Sequence, residues 1–201
     1  MGSDPETVKF SSFLGPIFLL TNIFFLNFIS RIIFAPLLPS IQKDLALAHV
    51  EAASLFLFVS MGYSISLLCS GFISNRLQHK KTIVLSATAV GISLTGIALC
   101  DDIWTIRGGL LLLGLAAGLY LPSGLASLTA LVSARHWGKA IATHELAPNL
   151  SFFVAPLLAE SLMMWFSWRG VLVFLGVCAI LTGVLFSHFW KGEDFPGEAP
   201  N

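Results

Sequence analysis

Six apolar stretches, each about as long as a helix needs to cross a lipid bilayer, fill most of the chain between residues 13 and 190. They run over roughly 13–38, 52–74, 82–100, 103–132, 140–166 and 169–190, separated by short polar connections. A soluble domain of 201 residues cannot hide six such segments, because a sizeable share of its residues must face water. Composition agrees: 11% of the residues are charged and 56% are hydrophobic, where a soluble domain carries about 25% charged residues. The sequence therefore predicts an all-α, polytopic membrane protein with six transmembrane helices. Pro16, Pro36, Pro39, Pro122, Pro148 and Pro156 fall inside these segments. They would damage soluble helices, but a membrane bundle tolerates them when neighbouring helices satisfy the freed backbone groups.

The connections differ sharply in charge. Arg76, Lys80 and Lys81 crowd the link between spans two and three, and Arg135 and Lys139 the link between spans four and five. The opposite connections hold Lys43 beside Asp44 and Glu51, then Asp101 with Asp102, then Arg169 alone. The positive-inside rule predicts that the even-numbered loops, and with them both termini, are cytoplasmic. Trp104, Trp165, Trp168 and Trp190 fall at predicted span ends, where interfacial aromatics collect. Net charge is zero, which gives no electrostatic footprint for nucleic acid. Cys69, Cys100 and Cys178 have no paired spacing and no histidine cluster, so neither a metal site nor a cofactor site is expected. The first residues lack the basic flank of a signal peptide, and Glu6 stands where a myristoylation signal needs Ser or Thr.

Small residues mark two helices for close approach. Gly62, Ser66, Ser70 and Ser74 recur every four residues in span two, and Gly114 and Gly118 form a GxxxG in span four.

The segment "GFISNRLQHKK" at residues 71–81 resembles the loop signature between the second and third helices of the major facilitator superfamily. Gly71, Ile73, Ser74, Arg76 and Lys80 match its form, G-x-L-a-D-r-x-G-r-k; Asn75 replaces the usual Asp and Gln78 the usual Gly. "RIIFAPLLPSIQKDLAL", "LGLAAGLYLPSGLASLTAL" and "APNLSFFVAP" are similar to parts of the family's first, fourth and fifth helices. "LPS" occurs both at Leu38–Ser40 and at Leu121–Ser123. The resemblance implies a transporter of two six-helix halves, each a 3+3 inverted repeat. On that basis residues 13–190 are expected to form an N-terminal half, with 1–12 a cytoplasmic segment and 191–201 the start of a cytoplasmic linker. The chain is expected to be truncated, and its missing partner would be a C-terminal six-helix half. The resemblance also makes Gly71, Asn75, Arg76 and Lys80 a gating loop, in which Asn75 weakens the ionic part of the gate.

Ionisable groups inside a span are costly and so are candidates for function. Arg31 lies in span one, with Asn27 one turn away on the same face. Its planar fork of donors suits a carboxylate or phosphate. The organophosphate:phosphate antiporters of the superfamily are similar here, with a first-helix Arg a comparable distance before a Pro, as Arg31 stands before Pro39. The resemblance implies that Arg31 binds an anionic solute. The other reading is an Arg that snorkels outward or pairs with Asp44 or Glu51. His144 and Glu145 are a candidate proton-coupling pair, although an acid near a helix start is also favoured by the dipole alone. Asn149 shares a face with Glu145, and Tyr63 and Tyr120 sit mid-span where a hydroxyl seeks a partner, lining a cavity or bonding across helices; with Arg31 and Asn27 these three are the candidate substrate-binding residues. Together these suggest a secondary transporter of a small anionic solute, surrounded by membrane lipid and served by a coupling ion or counter-solute. An intramembrane protease built on Ser123 and His188 is the alternative from another class, but Leu121 stands where the G-x-S-G motif needs Gly. A six-span homodimeric transporter or scaffold is the other alternative.

Overall fold

Three of the six spans are interrupted, each at the residue three places before a proline. The computed structural model describes residues 10–190, apart from residue 77 and the side chains of 11, 12 and 71–77. In span one, α1 (Leu14–Ile32) and α2 (Phe34–Asp44) meet at Ile33, ahead of Pro36. In span four, α5 (Ile103–Gly118) and α6 (Tyr120–Leu131) meet at Leu119, ahead of Pro122. In span five, α7 (Trp137–His144) and α8 (Leu146–Met163) meet at Glu145, ahead of Pro148. Each proline thus takes the third position of a new helix, in the turn where a backbone N–H has no intrahelical partner. Ile33, Leu119 and Glu145 keep right-handed helical φ and ψ, so the chain continues across each break. Spans two, three and six are the uninterrupted α3 (His49–Arg76), α4 (His79–Ala98) and α9 (Trp168–Phe189).

Six helices or helix pairs are long and apolar enough to cross a membrane. Their ends move by a few residues from the sequence expectation. Span one runs on through Pro39 to Asp44, six residues past the predicted end at 38, because α2 restarts the helix after the break. Span five begins earlier, since a 3₁₀ turn at Ala134–His136 leads directly into α7. At the acidic end, Asp102 caps α5 by accepting from the Trp104 and Thr105 amides, at 2.8 and 3.3 Å. The Thr105 hydroxyl and the Trp104 amide together hold its carboxyl below the usual carboxylate range.

Span two packs chiefly on span four, span three on span six, and span one on span five. Exchanging spans one, two and three with four, five and six turns the first and third pairings into each other and returns the second to itself. That is the 3+3 inverted repeat. The predicted small-residue stripes face each other across the first pairing. A Cβ on Gly62 would collide with the Leu111 carbonyl, and one on Gly114 with the Val59 carbonyl. A Cβ on Gly118 would come within 2.6 Å of the Ser66 Cβ. A second seam, which the sequence reading did not single out, joins spans three and six: Gly91 lies against Gly176, and Gly183 against Ala87 and Thr88. Small residues do the work there too, because dispersion at close range holds helices together where lipid is as apolar as leucine.

Trp104 and Trp165 are exposed at span ends, as expected of interfacial aromatics, but Trp168 and Trp190 are buried in the protein. Trp168 Nε1 donates to Asp44 at 3.1 Å, and the Trp190 ring stacks on Phe186. Their rings found protein partners before they reached the headgroup layer.

Candidate functional site

A cleft of about 560 Å³ opens beside the span-one break, walled by spans one, two and five. Ile32, Ala35, Pro36, Phe56, Phe152 and Pro156 give it an apolar lining; Arg31 and Ser60 are its polar contributors. The cleft sits here because Pro36 ends α1 just below it, and α8 supplies Phe152, Ala155 and Pro156 from the facing side.

Arg31 is laid between two rings. Its guanidinium carbon is 4.0 Å from the centre of Tyr63 and 4.9 Å from that of Phe28. Aromatic faces attract a guanidinium but leave its in-plane N–H donors unspent. The Nε is buried with no hydrogen-bond partner. Neither acid proposed as its alternative partner takes it: Asp44 pairs with Arg169, and Glu51 accepts from the Ala48 amide at 2.9 Å. Among the described residues no carboxylate lies within ion-pairing distance of Arg31. A buried donor without a partner is costly, and the residue that carries this one lines the cleft.

Asn27, one turn away, is built into the bundle instead. Its amide donates to Ser86 Oγ at 3.3 Å and to the Ala117 carbonyl at 3.2 Å, while Ser86 donates to the Ala116 carbonyl at 2.7 Å. This network ties spans one, three and four together, and Asn27 does not line the large cleft. Tyr120 is also removed from it. Its hydroxyl donates to the Leu20 carbonyl at 2.8 Å and lies 3.0 Å from His144 Nε2. His144 Nδ1 in turn is 3.4 Å from Glu145. Asn149 is exposed and donates to the Glu145 carbonyl at 2.8 Å, satisfying an acceptor at the span-five break.

Residues 20–201 match the Major Facilitator Superfamily. The chain belongs to that family. It is 28% identical over 134 residues to the inner membrane metabolite transport protein YdjE of Escherichia coli, covering 67% of this chain and 28% of that protein. It is 26% identical to the multi-drug resistance efflux pump PmrA homolog of Lactococcus lactis, over 80% of this chain and 40% of the relative. For the major facilitator superfamily multidrug transporter mfsC of Aspergillus fumigatus the identity is 25%, over 86% and 34%. The chain therefore spans between 28% and 40% of the length of these relatives. Among solved structures, a bacterial homolog to the human lysosomal transporter Spinster, inward-facing and occupied, superposes with a TM-score of 0.80 at 16% identity. That match covers 97% of this chain and 46% of the other, and it establishes a shared fold.

In this major facilitator chain the loop signature is only partly open to description. The side chains of Gly71, Asn75 and Arg76 lie outside the described residues, while Lys80 Nζ donates to the Trp190 carbonyl at 2.7 Å. Lys80 thereby clamps the end of span six to the start of span three. Arg107 donates to Ser54 Oγ at 2.8 Å from Nη2 and stacks on Trp104. Ser123 is fully buried with an unpartnered hydroxyl, and His188 is exposed on span six, so the two form no dyad. The sequence reading missed Phe28, Phe56 and Ser60. Aromatic and small polar residues are too common in membrane spans to stand out before the cleft assembles around them.

Proposed function

We propose that this chain is the N-terminal half of a secondary transporter that moves a small anionic solute by alternating access. The single observation that carries the reading is Arg31: a guanidinium laid against Tyr63 and Phe28 at the wall of the cleft, with a buried Nε that no protein group satisfies. A carboxylate or phosphate would complete that fork. The relatives' names, a metabolite transport protein and multidrug transporters, support a transport role. A C-terminal six-helix half would complete the cleft. Only 28% and 22% of the apolar windows of spans two and five are buried here, against 50% for spans one, three and four. The uncovered faces of spans two and five are where that half would pack. Residues 13–190 are then its six-helix bundle, flanked by cytoplasmic segments at 1–12 and 191–201. A coupling ion or counter-solute would drive the cycle.

The deciding experiment is solute uptake by the full-length protein carrying Arg31→Lys or Arg31→Ala, at equal membrane insertion. Both should fail, because Lys keeps the charge but loses the bidentate fork. Wild-type uptake in Arg31→Lys would remove the fork argument. Wild-type uptake in Arg31→Ala would remove Arg31 from the site and favour a neutral or drug-like solute.

We further propose an inner-membrane, multi-pass location with both termini cytoplasmic, from the Lys and Arg in the even-numbered loops. Cysteines placed in the 2–3 and 4–5 loops should be shielded from an impermeant thiol reagent added outside, and a cysteine at Asp101 should react. Labelling of the 2–3 loop from outside would reverse the orientation.

A further inference from the structure

The cleft at Arg31 is chemically lopsided. Its walls run the same way from Arg31 toward the acidic end of the bundle: span one from Arg31 to Pro36, span two from Ser60 to Phe56, and span five from Phe152 to Pro156. At about 1.5 Å of rise per residue, the stretch from Arg31 to Pro36 gives the walls a depth of roughly 7 Å. Along that depth every lining side chain except Ser60 is apolar, and among the described residues Arg31 is the one charged group in the lining. The aromatic surface is continuous. Tyr63 and Phe28 lie against the guanidinium, at 4.0 and 4.9 Å, and Phe28 packs edge-on against Phe152 with ring centres 5.4 Å apart. Phe152 is left 61% exposed.

Each of these features removes a class of solute. A phosphate monoester carries about 1.5 to 2 negative charges near neutral pH. One guanidinium neutralises one of them, and the remainder would face apolar walls, where an uncompensated charge is costly. A polyhydroxylated body fits poorly too, because Ser60 can answer one hydroxyl and the others would lose their bonds to water. A small inorganic anion meets the guanidinium but leaves most of a 560 Å³ cleft unfilled. A neutral apolar body fills the lining and leaves the Arg31 Nε without an acceptor.

We propose that the solute is an amphipathic monoanion, with a single carboxylate head at Arg31 and a hydrocarbon body lying along Phe152, Phe56 and Pro156. This narrows the reading of Arg31 as an anion site and rests on it. Head and body are held by different forces. The guanidinium fixes the carboxylate through charge-assisted hydrogen bonds, which are directional. The body is held by its removal from water, which scales with area and is indifferent to direction. The cleft therefore ranks carboxylates by the size of the apolar body, not by the pattern of polar substituents.

The test is a binding ladder on the full-length protein, titrated by solute-dependent thermal stabilisation. The probes are butanoate, pentanoate and hexanoate, with 1-hexanol and glycerol 3-phosphate as comparators. Affinity should rise roughly fourfold for each added methylene. Hexanoate should bind tighter than either comparator by about tenfold or more. Phe56→Ala shortens the apolar wall, so it should flatten the ladder and leave butanoate close to wild type. Glycerol 3-phosphate binding as tightly as hexanoate would overturn this inference and leave Arg31 an anion site. A flat ladder in the wild-type protein would do the same, and that result stands even if Phe56→Ala does not fold. So would an unchanged ladder in a folded Phe56→Ala protein. Binding of 1-hexanol as tight as that of hexanoate, or hexanoate affinity unchanged in Arg31→Ala, would instead overturn the anion reading and this inference with it.

Discussion

Arg31 and Arg169 are both guanidinium groups laid against aromatic rings, 4.0 Å from Tyr63 and 4.2 Å from Trp168. Their in-plane donors meet opposite fates. Arg169, at the acidic end of the bundle, pairs with Asp44, bonds Asp101 at 2.9 Å and donates to the Cys100 carbonyl at 3.1 Å. It thereby joins three of the chain's connections. Arg31, which lines the cleft, has the aromatic support, but its Nε has no hydrogen-bond partner. The difference separates a guanidinium whose donors meet carboxylates and a carbonyl from one whose Nε meets no acceptor. In the first the fork is filled by the protein; in the second the protein supplies two ring faces and no acceptor for Nε.

The comparison breaks first, and with the largest effect, at Arg31. Charge-assisted hydrogen bonds contribute about 1.5–3 kcal/mol each, so Arg31→Ala should weaken binding of an anionic solute by roughly 10- to 100-fold, measured by solute-dependent thermal stabilisation. Stability without solute should hold or rise, since an unpaired buried donor is removed with its partner absent. A loss of stability alone would place Arg31 with Arg169 as a structural cation.

The aromatic support should matter less. Cation–π contacts contribute about 0.5–2 kcal/mol, so Tyr63→Leu should weaken the same solute by about 2- to 30-fold. Tyr63→Phe keeps the ring face and should leave binding close to wild type. Equal loss in both would mean that the hydroxyl, not the stack, serves the site.

Arg169→Ala should have the smallest effect. Its ion pairs are largely exposed, and such pairs contribute little. The melting temperature should fall by no more than a few degrees, with solute affinity unchanged. A change in solute affinity would show that the outer connections feed back on the cleft.

How much of this was legible in the chain varies residue by residue. Hydropathy is a local property, so the six spans could be counted before folding, and Arg31 stood out because a guanidinium in lipid is expensive. The breaks were half legible: Pro36, Pro122 and Pro148 were visible, but so were Pro39 and Pro156, which lie inside unbroken helix. Which proline opens a helix and which rides within one depends on whether neighbours can satisfy the freed carbonyl. Asn27 and Arg31 looked equivalent on one helix face. Only packing showed that Asn27 meets Ser86 and Ala117 while Arg31 meets two aromatic rings beside the cleft. The stripe at Gly62 and Ser66 and the pair at Gly114 and Gly118 were each visible alone, yet their meeting was not.

The sequence by itself determined that this protein lives in a membrane, that it crosses six times, and which of its side chains would be costly there. Those follow from the transfer energy of each segment, which needs no knowledge of any other segment. The tertiary structure alone decided which costly groups are satisfied. Tyr120 reached His144 and Leu20, Arg169 reached two acids, and Arg31 reached two rings while its Nε found no acceptor. Hydrogen bonding is directional and short-ranged, so partnership between residues far apart in the chain exists only once the helices have packed.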